Sequence, residues 1–119
     1  MSAVLDLAPL FRRAAEVIET NGHCKNWFHD TYAIELPLRK RRVCAVGALC
    51  VADGLPPDEL SALAELEAVE FLSRRIDSNV VDEDPVERIA DWNDAPARTE
   101  AEVIEALRDA AAAAEAVAA

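Results

Sequence analysis

The longest uninterrupted run of apolar and small residues extends from Val43 to Ala52 and ends at Asp53-Gly54. A helix that is apolar on every side is a buried helix, so this run predicts a core helix over residues 43–53. Its ten residues are far fewer than the roughly 20 that span a membrane, so no membrane contact is expected. We therefore expect the rest of the chain to pack around this helix.

Apolar residues recur at helical spacing on both sides of the run, and each stretch has its own start or stop signal. Asn21-Gly22 ends the first stretch, Pro56-Pro57 precedes the next, and Asp84-Pro85 opens a short one. Thr99 and Glu102 have the spacing of a capping box, which starts the last helical stretch. The predicted helices extend over residues 6–21, 57–77 and 85–92, and from 100 onwards.

Between residues 23 and 42 the helical period is lost. Tyr32, Ile34, Leu36 and Leu38 alternate there with less apolar neighbours, a pattern typical of a half-buried strand. Pro37 would confine such a strand to an edge or a bend. The pattern predicts a minor β-strand or hairpin near residues 31–43.

Together these elements predict a mainly α fold, a single small bundle of four to five helices around the core helix. Abundant Ala, Leu and Glu with only three glycines favour helices over sheets, and 119 residues suit one domain, 1–119. Residues 110–119 are almost all alanine and offer little area to bury, so this tail is expected to fray. Gly47 costs about 1 kcal/mol in a helix relative to Ala, which predicts a close crossing by the first or last helix.

Charge is distributed unevenly along the chain, whose net charge is −11. Residues 1–52 have a balance of +2 and residues 53–119 a balance of −13. So acidic a surface repels phosphate backbones, which disfavours nucleic-acid binding. The basic run 39–42 is explained either by salt bridges to the acidic half or by contact with an acidic partner.

No secretory signal is recognised, and the odd number of cysteines favours reduced thiols in the cytoplasm.

One group of side chains has the residue types of a thiol enzyme. Cys24 is the candidate nucleophile, His23 or His29 the base, and Asp30 the residue that would orient it. The types alone are weak support, because adjacent loop residues usually point apart. Zinc is disfavoured because Cys44 and Cys50 would lie nearly opposite one another on one helix. We expect no metal and no cofactor.

Three pieces of the chain resemble a family of short uncharacterised bacterial and phage proteins, a domain of unknown function. They are residues 13–24, Cys44-Ala-Val-Gly-Ala-Leu, and 89–99 with 102–107, in which Trp92-Asn93-Asp94 and Arg98-Thr99 are the most specific. The family pattern usually has Trp at the position of His23. The resemblance implies one compact unit and supplies no reaction.

The sequence favours a protein-interaction or regulatory module over an enzyme. Aromatic and arginine side chains are typical of binding surfaces, and the candidate partner-binding residues are Trp27, Trp92, Asn93, Asp94 and Arg98. The partner is an unidentified protein, with a basic partner and self-association both open. Two other hypotheses are a thiol enzyme or carrier using Cys24 and an acidic mimic of nucleic acid formed by residues 53–119.

Overall fold

The computed structural model of the chain describes residues 6–60, 63–76 and 84–118. The described residues form five α-helices, as the pattern predicted, and one short 3-10 helix at Leu38–Lys40. The helices are α1 (Ala8–Asn21), α2 (Ala45–Ala52), α3 (Leu63–Ile76), α4 (Pro85–Asp94) and α5 (Glu100–Ala118). Among these described helices, none combines the length and the apolar character needed to cross a membrane.

The core lies around α2, every residue of which from Ala45 to Cys50 is buried. α1, α3 and α4 all contact α2, and α1 also packs extensively against α5. The buried side of α1 includes Phe11 and Ile18, both fully buried. Burial of each such side chain stabilises the fold by about 1.5–3 kcal/mol. α2 thus supplies a surface on which α1, α3 and α4 pack, whereas α5 packs chiefly on α1.

Local signals determine where most of the helices begin and end. Gly22 has φ of 99°, a left-handed conformation that stops α1. Asp84 starts α4 by accepting a hydrogen bond from the Val86 amide at 2.9 Å. Thr99 and Glu102 form the predicted capping box, with the Thr99 amide donating to Glu102 and the Glu102 amide to Thr99 Oγ1. α3 begins at Leu63, later than the predicted start near residue 57, after turns at 53–58.

α5 continues through the alanine-rich segment to Ala118. Ala110, Ala111 and Ala114 are buried, and their small side chains let α1 approach closely. An ion pair between Arg108 and Glu19, at 2.5 Å, also joins the two helices. Fraying of residues 110–119 in solution stays a prediction.

The predicted minor β-strand or hairpin near residues 31–43 is wrong. Residues 31–43 are all described and contain no strand; Val43 makes only isolated bridges to His23 and His29. Successive turns occupy the segment instead, with Leu36 N–H donating to the Ala33 carbonyl and Lys40 N–H to that of Pro37. The alternating apolar residues have no sheet to face, so Tyr32 and Ile34 are 86% and 80% exposed.

Candidate functional site

The side chain of Asn93, in the last turn of α4, is fully buried and joins three parts of the chain. Its Oδ1 accepts hydrogen bonds from the Ala45 amide at 3.0 Å and from His23 Nε2 at 2.8 Å. Its Nδ2 donates to the Cys24 carbonyl at 3.1 Å and to Asp94 Oδ1 at 3.0 Å. Because Oδ1 can only accept, His23 must carry its proton on Nε2. One amide therefore links α4, the first turn of α2, and the segment after α1.

That segment, residues 23–28, is called the 23–28 loop. Asp94 Oδ1 accepts a second hydrogen bond from the Asn26 amide at 2.8 Å, and Asn26 adopts φ of 73°. Lys25 Nζ donates to the carbonyls of Ala95 at 2.7 Å and Pro96 at 3.3 Å. Asn tolerates the left-handed conformation better than most residues, so the sequence suits this turn. The loop is thus fastened to the end of α4 at three successive residues, Cys24, Lys25 and Asn26.

The other end of the 23–28 loop lies on α2. The Phe28 carbonyl accepts a hydrogen bond from the Cys44 amide at 3.2 Å. A Cβ atom on Gly47 would stand 2.1 Å from the same oxygen, closer than any real contact. Gly47 therefore marks a close approach, but by a loop carbonyl and not by the helix that the sequence predicted. Cys44 caps α2, its Sγ accepting from the Gly47 amide at 3.3 Å.

Next to this loop lies a cavity of about 180 Å³, here called the Trp27 cavity. Trp27 has 58% of its surface exposed, although the backbone on either side of it is held in place. The lining of the cavity is mostly apolar, with a carboxylate from Asp94 at the end of α4. It is formed by Asn26, Trp27, Phe28, Cys44, Ala90 and Asp94.

The other predicted partner-binding residues have internal roles. Arg98 Cζ lies 4.3 Å from the centre of the Trp92 ring, and Arg98 Nε donates to the Trp92 carbonyl at 3.0 Å. Arg98 Nη1 also lies 3.7 Å from Glu102. Trp92 and Arg98 therefore bind each other within the protein, and the Asn93 side chain is buried. Of the five candidates, Trp27 and Asp94 are those at the Trp27 cavity.

The predicted thiol group is not assembled as a catalytic set. Cys24 Sγ donates to the carbonyls of Trp27 at 3.4 Å and Arg42 at 3.6 Å. His23 is hydrogen-bonded to Asn93, and His29 Nδ1 lies 3.4 Å from Arg41 Nη1. Asp30 accepts from the Tyr32 amide, not from a histidine. The described hydrogen bonds therefore provide no base for the Cys24 thiol.

Electrostatics also keep the thiols protonated. The pKa of Cys24 is raised to about 12, first by burial and then by the nearby Cys44, Asp30 and Asp94, and Arg42 lowers it only in part. Burial likewise raises the pKa of Cys44 to about 11 and increases that of Cys50. A reactive cysteine needs the opposite shift. Among the described residues, no group of three His, Cys, Asp or Glu is placed to hold a metal ion.

We expect iodoacetamide to label Cys24 more slowly in the native protein than in the urea-unfolded chain at pH 7.5. A raised pKa lowers the thiolate fraction at neutral pH, so the native labelling rate should still increase above about pH 10, where a thiol with the ordinary pKa of about 8.5 is almost fully ionised. Mass spectrometry of the Cys24 peptide measures the rate, and Cys24→Ser controls for labelling of Cys44 and Cys50. A native rate that levels off below pH 8 would contradict this expectation and support the thiol-enzyme hypothesis.

The first turn of α2 contains no cation, because the helix begins after Cys44 and the basic run 39–42 precedes that residue. Arg41 Nε donates to the Leu36 carbonyl at 2.9 Å, and Arg42 Nε lies 3.9 Å from Asp30. Among the described ion pairs, none joins residues 39–42 to the acidic second half. The salt bridges expected for this run are therefore not part of the described structure.

Sequence reasoning did not select Lys25 and Asn26, which hold the loop against the end of α4, as site residues. It also did not select Phe28 and Ala90, which line the Trp27 cavity. Two signals pointed toward them. A glycine within an apolar helix indicated a close approach, and Asn26 is a residue type that accepts positive φ. Neither signal identifies its partner, which lies far away in the sequence.

A family model described as "Family of unknown function (DUF6197)" matches residues 3–113. No curated protein and no solved structure matches the chain significantly.

Proposed function

The chain belongs to DUF6197, a family of unknown function. For this member of the family we propose a role as a protein-binding module whose site is Trp27 with the Trp27 cavity. The observation that supports this most directly is a tryptophan with 58% of its surface exposed on a loop whose backbone is held in place. Tryptophan is among the residues that contribute most to binding at protein interfaces.

Preorganisation of the 23–28 loop favours this function. Ordering a mobile loop and its side chains reduces binding affinity by roughly 0.5–1.5 kcal/mol for each side chain immobilised. Here Asn93, Asp94 and Lys25 already hold the backbone of the loop in the free protein. A partner would meet the Trp27 ring without first ordering the loop that carries it.

The size of the cavity favours one partner side chain over a small-molecule substrate. Small-molecule pockets are typically about 300–1,000 Å³, whereas the Trp27 cavity is about 180 Å³. Exposed Tyr32 and Ile34, on the segment that follows, add apolar surface of the kind that protein partners cover. With the thiols protonated, these observations favour binding without catalysis.

The location and assembly of the molecule belong to the same proposal. We propose that the protein acts in the cytoplasm, where its three cysteines stay reduced, in keeping with their free state in the structure. We also propose that the five helices behave as one bundle around α2, since α2 contacts α1, α3 and α4.

A peptide selection tests the binding site without knowledge of the natural partner. Phage-displayed random peptides are selected on the wild-type protein, and the Kd of each enriched peptide is measured by fluorescence anisotropy. We expect Trp27→Ala to weaken binding at least tenfold, because truncation of a central aromatic residue typically removes about 2 kcal/mol or more.

The matched control is Leu66→Ala, which truncates another exposed apolar residue, 43% exposed, on α3. We expect this variant to bind the peptides with unchanged affinity. Peptides that bind wild type and Trp27→Ala equally well would show that Trp27 is not the site.

A further inference from the structure

We propose that the group entering the Trp27 cavity is a lysine or arginine side chain of the protein partner. Its aliphatic stem packs against Phe28 and Ala90, and its charged head lies between Asp94 and the Trp27 ring. This inference rests on the proposed function and specifies the chemistry of the partner at that site.

The first support is the arrangement of the Asp94 carboxylate. Its Oδ1 is occupied by the Asn26 amide and by Asn93 Nδ2. Its Oδ2 takes part in none of the hydrogen bonds or ion pairs that the structure describes. An apolar side chain placed in the cavity that Asp94 lines would remove water from this carboxylate and supply no donor, which is unfavourable. A cationic head with several N–H donors replaces that water and adds charge attraction.

The second support is the charge around the cavity. Residues three and four apart share a helix face, so Glu87, Ala90, Asp91 and Asp94 lie on one side of α4. Ala90 and Asp94 line the cavity, and Glu87 and Asp91 are exposed on the same side. These three carboxylates attract a cation and repel an acidic side chain.

Three cations near the 23–28 loop, Lys25, Arg98 and Arg42, are held by other partners. Lys25 Nζ is directed at the carbonyls of Ala95 and Pro96. Arg98 is held by the Trp92 ring, the Trp92 carbonyl and Glu102. Arg42 pairs with Asp30 at 3.9 Å. Among the described contacts, none places these three cations on the Asp94 carboxylate.

The third support is the aromatic ring itself. A cation over an indole face is attracted by the negative charge of the ring, and tryptophan is the most effective residue for this. The protein already contains such a pair, with Arg98 Cζ 4.3 Å from the centre of the Trp92 ring. Trp27 is exposed and presents the same kind of surface to a partner. Lysine and arginine stems also pack well on apolar surface while the charged head remains at a polar rim.

Asp94→Asn is the variant that tests the inference, because the amide keeps the shape of the side chain and removes its charge. The amide Oδ1 can still accept from Asn26 and Asn93, so the 23–28 loop stays fastened. A selected peptide is compared with a version in which its anchor lysine is replaced by norleucine, which keeps the stem and lacks the ammonium. We expect this replacement to weaken binding at least tenfold on wild type and only about threefold on Asp94→Asn, where the ammonium has lost the Asp94 charge but still meets the Trp27 ring and Asp91.

A second variant keeps the test decisive if Asp94→Asn disturbs the fold, which urea denaturation would reveal. Asp91→Asn changes an exposed carboxylate on the same side of α4, and we expect it to weaken lysine-containing peptides two- to threefold and norleucine peptides not at all. An equal effect on both peptides would overturn the inference.

The composition of the selected peptides separates this inference from the proposed function. Peptides that depend on Trp27 and lack lysine or arginine would leave the protein-binding site in place and overturn the basic anchor. Peptides that bind independently of Trp27, or no enriched peptides at all, would overturn both.

Discussion

Gly47→Ala is expected to destabilise the protein by about 2–4 kcal/mol, although the same change in most helices is stabilising. A Cβ at this position would stand 2.1 Å from the Phe28 carbonyl oxygen, and because that oxygen belongs to the backbone, no side-chain rotation can relieve the contact. The loop must therefore move away, which also weakens the hydrogen bond from the Cys44 amide to Phe28 at 3.2 Å. Urea denaturation followed by circular dichroism measures the change in the free energy of unfolding.

Gly54→Ala is the matched control for this prediction. Gly54 has φ of 82°, and a Cβ on it would meet no other atom within 4 Å, so alanine there introduces backbone strain without a collision. That strain costs about 1–2 kcal/mol. Helix propensity alone predicts that Gly47→Ala is the better tolerated of the two changes, whereas the structure predicts the reverse. A Gly47→Ala protein as stable as the parent would show that the Phe28 carbonyl does not lie on α2.

Asn93→Ala is expected to cost about 3–5 kcal/mol, a large part of the roughly 5–15 kcal/mol typical of a domain. The change removes four hydrogen bonds made by one fully buried side chain. It leaves the Ala45 amide and the Cys24 carbonyl without this partner and creates a small void among α2, α4 and the 23–28 loop. The midpoint of thermal or urea unfolding measures the loss.

Asn93→Asp keeps the size of the side chain and removes its hydrogen-bond donor, so it measures the contribution of the donor alone. One carboxylate oxygen can still accept from Ala45 and His23, but the other faces the Cys24 carbonyl and Asp94 Oδ1 and cannot donate. Burial beside Asp94 should raise the pKa of the new carboxyl above its value in the unfolded chain. The folded state then binds the extra proton more tightly, so the penalty is full at pH 7 and becomes smaller as the pH falls through that raised pKa.

The pH dependence of this variant is measured relative to wild type, which removes the contribution of the other titrating groups. A stability difference between Asn93→Asp and wild type that stays constant from pH 7 to pH 4.5 would contradict the assigned hydrogen bonds. For Asn93→Ala, we expect the stability difference to show no comparable dependence. Loss of Trp27-dependent peptide binding in both Asn93 variants would connect the buried amide to the proposed binding site.

Local chemistry in the sequence was enough to locate most of the helices. The stop at Gly22, the cap at Asp84 and the capping box of Thr99 with Glu102 each involve residues within about one helical turn of one another. The apolar run 43–52 also predicted which helix would be buried, because it has no charged side chain and therefore no polar face to turn toward water. These features depend on short-range interactions, which a single sequence displays directly.

The alternating pattern at residues 31–43 predicted a strand wrongly because a strand, unlike a helix, depends on long-range partners. Alternation of apolar residues describes a strand only where a second strand satisfies its backbone, and that depends on the rest of the fold. Here the backbone is satisfied by turns within the segment, such as the hydrogen bond from Leu36 to Ala33, and Tyr32 and Ile34 face solvent. The local pattern was present, but the partner strand was not.

The proposed binding site is the part that only the tertiary structure decided. The sequence by itself determined a small acidic helical chain with a buried central helix, and it selected Trp27, Asn93 and Asp94 as candidates without distinguishing their roles. The roles follow from hydrogen bonds that join Asn93 to Ala45 and His23, 48 and 70 positions away. Contacts over such separations form only when helices pack, because packing brings distant donors and acceptors together and excludes the water that would otherwise satisfy them. Burial thereby makes Asn93 a structural residue and leaves Trp27 and Asp94 at the surface where a partner can reach them.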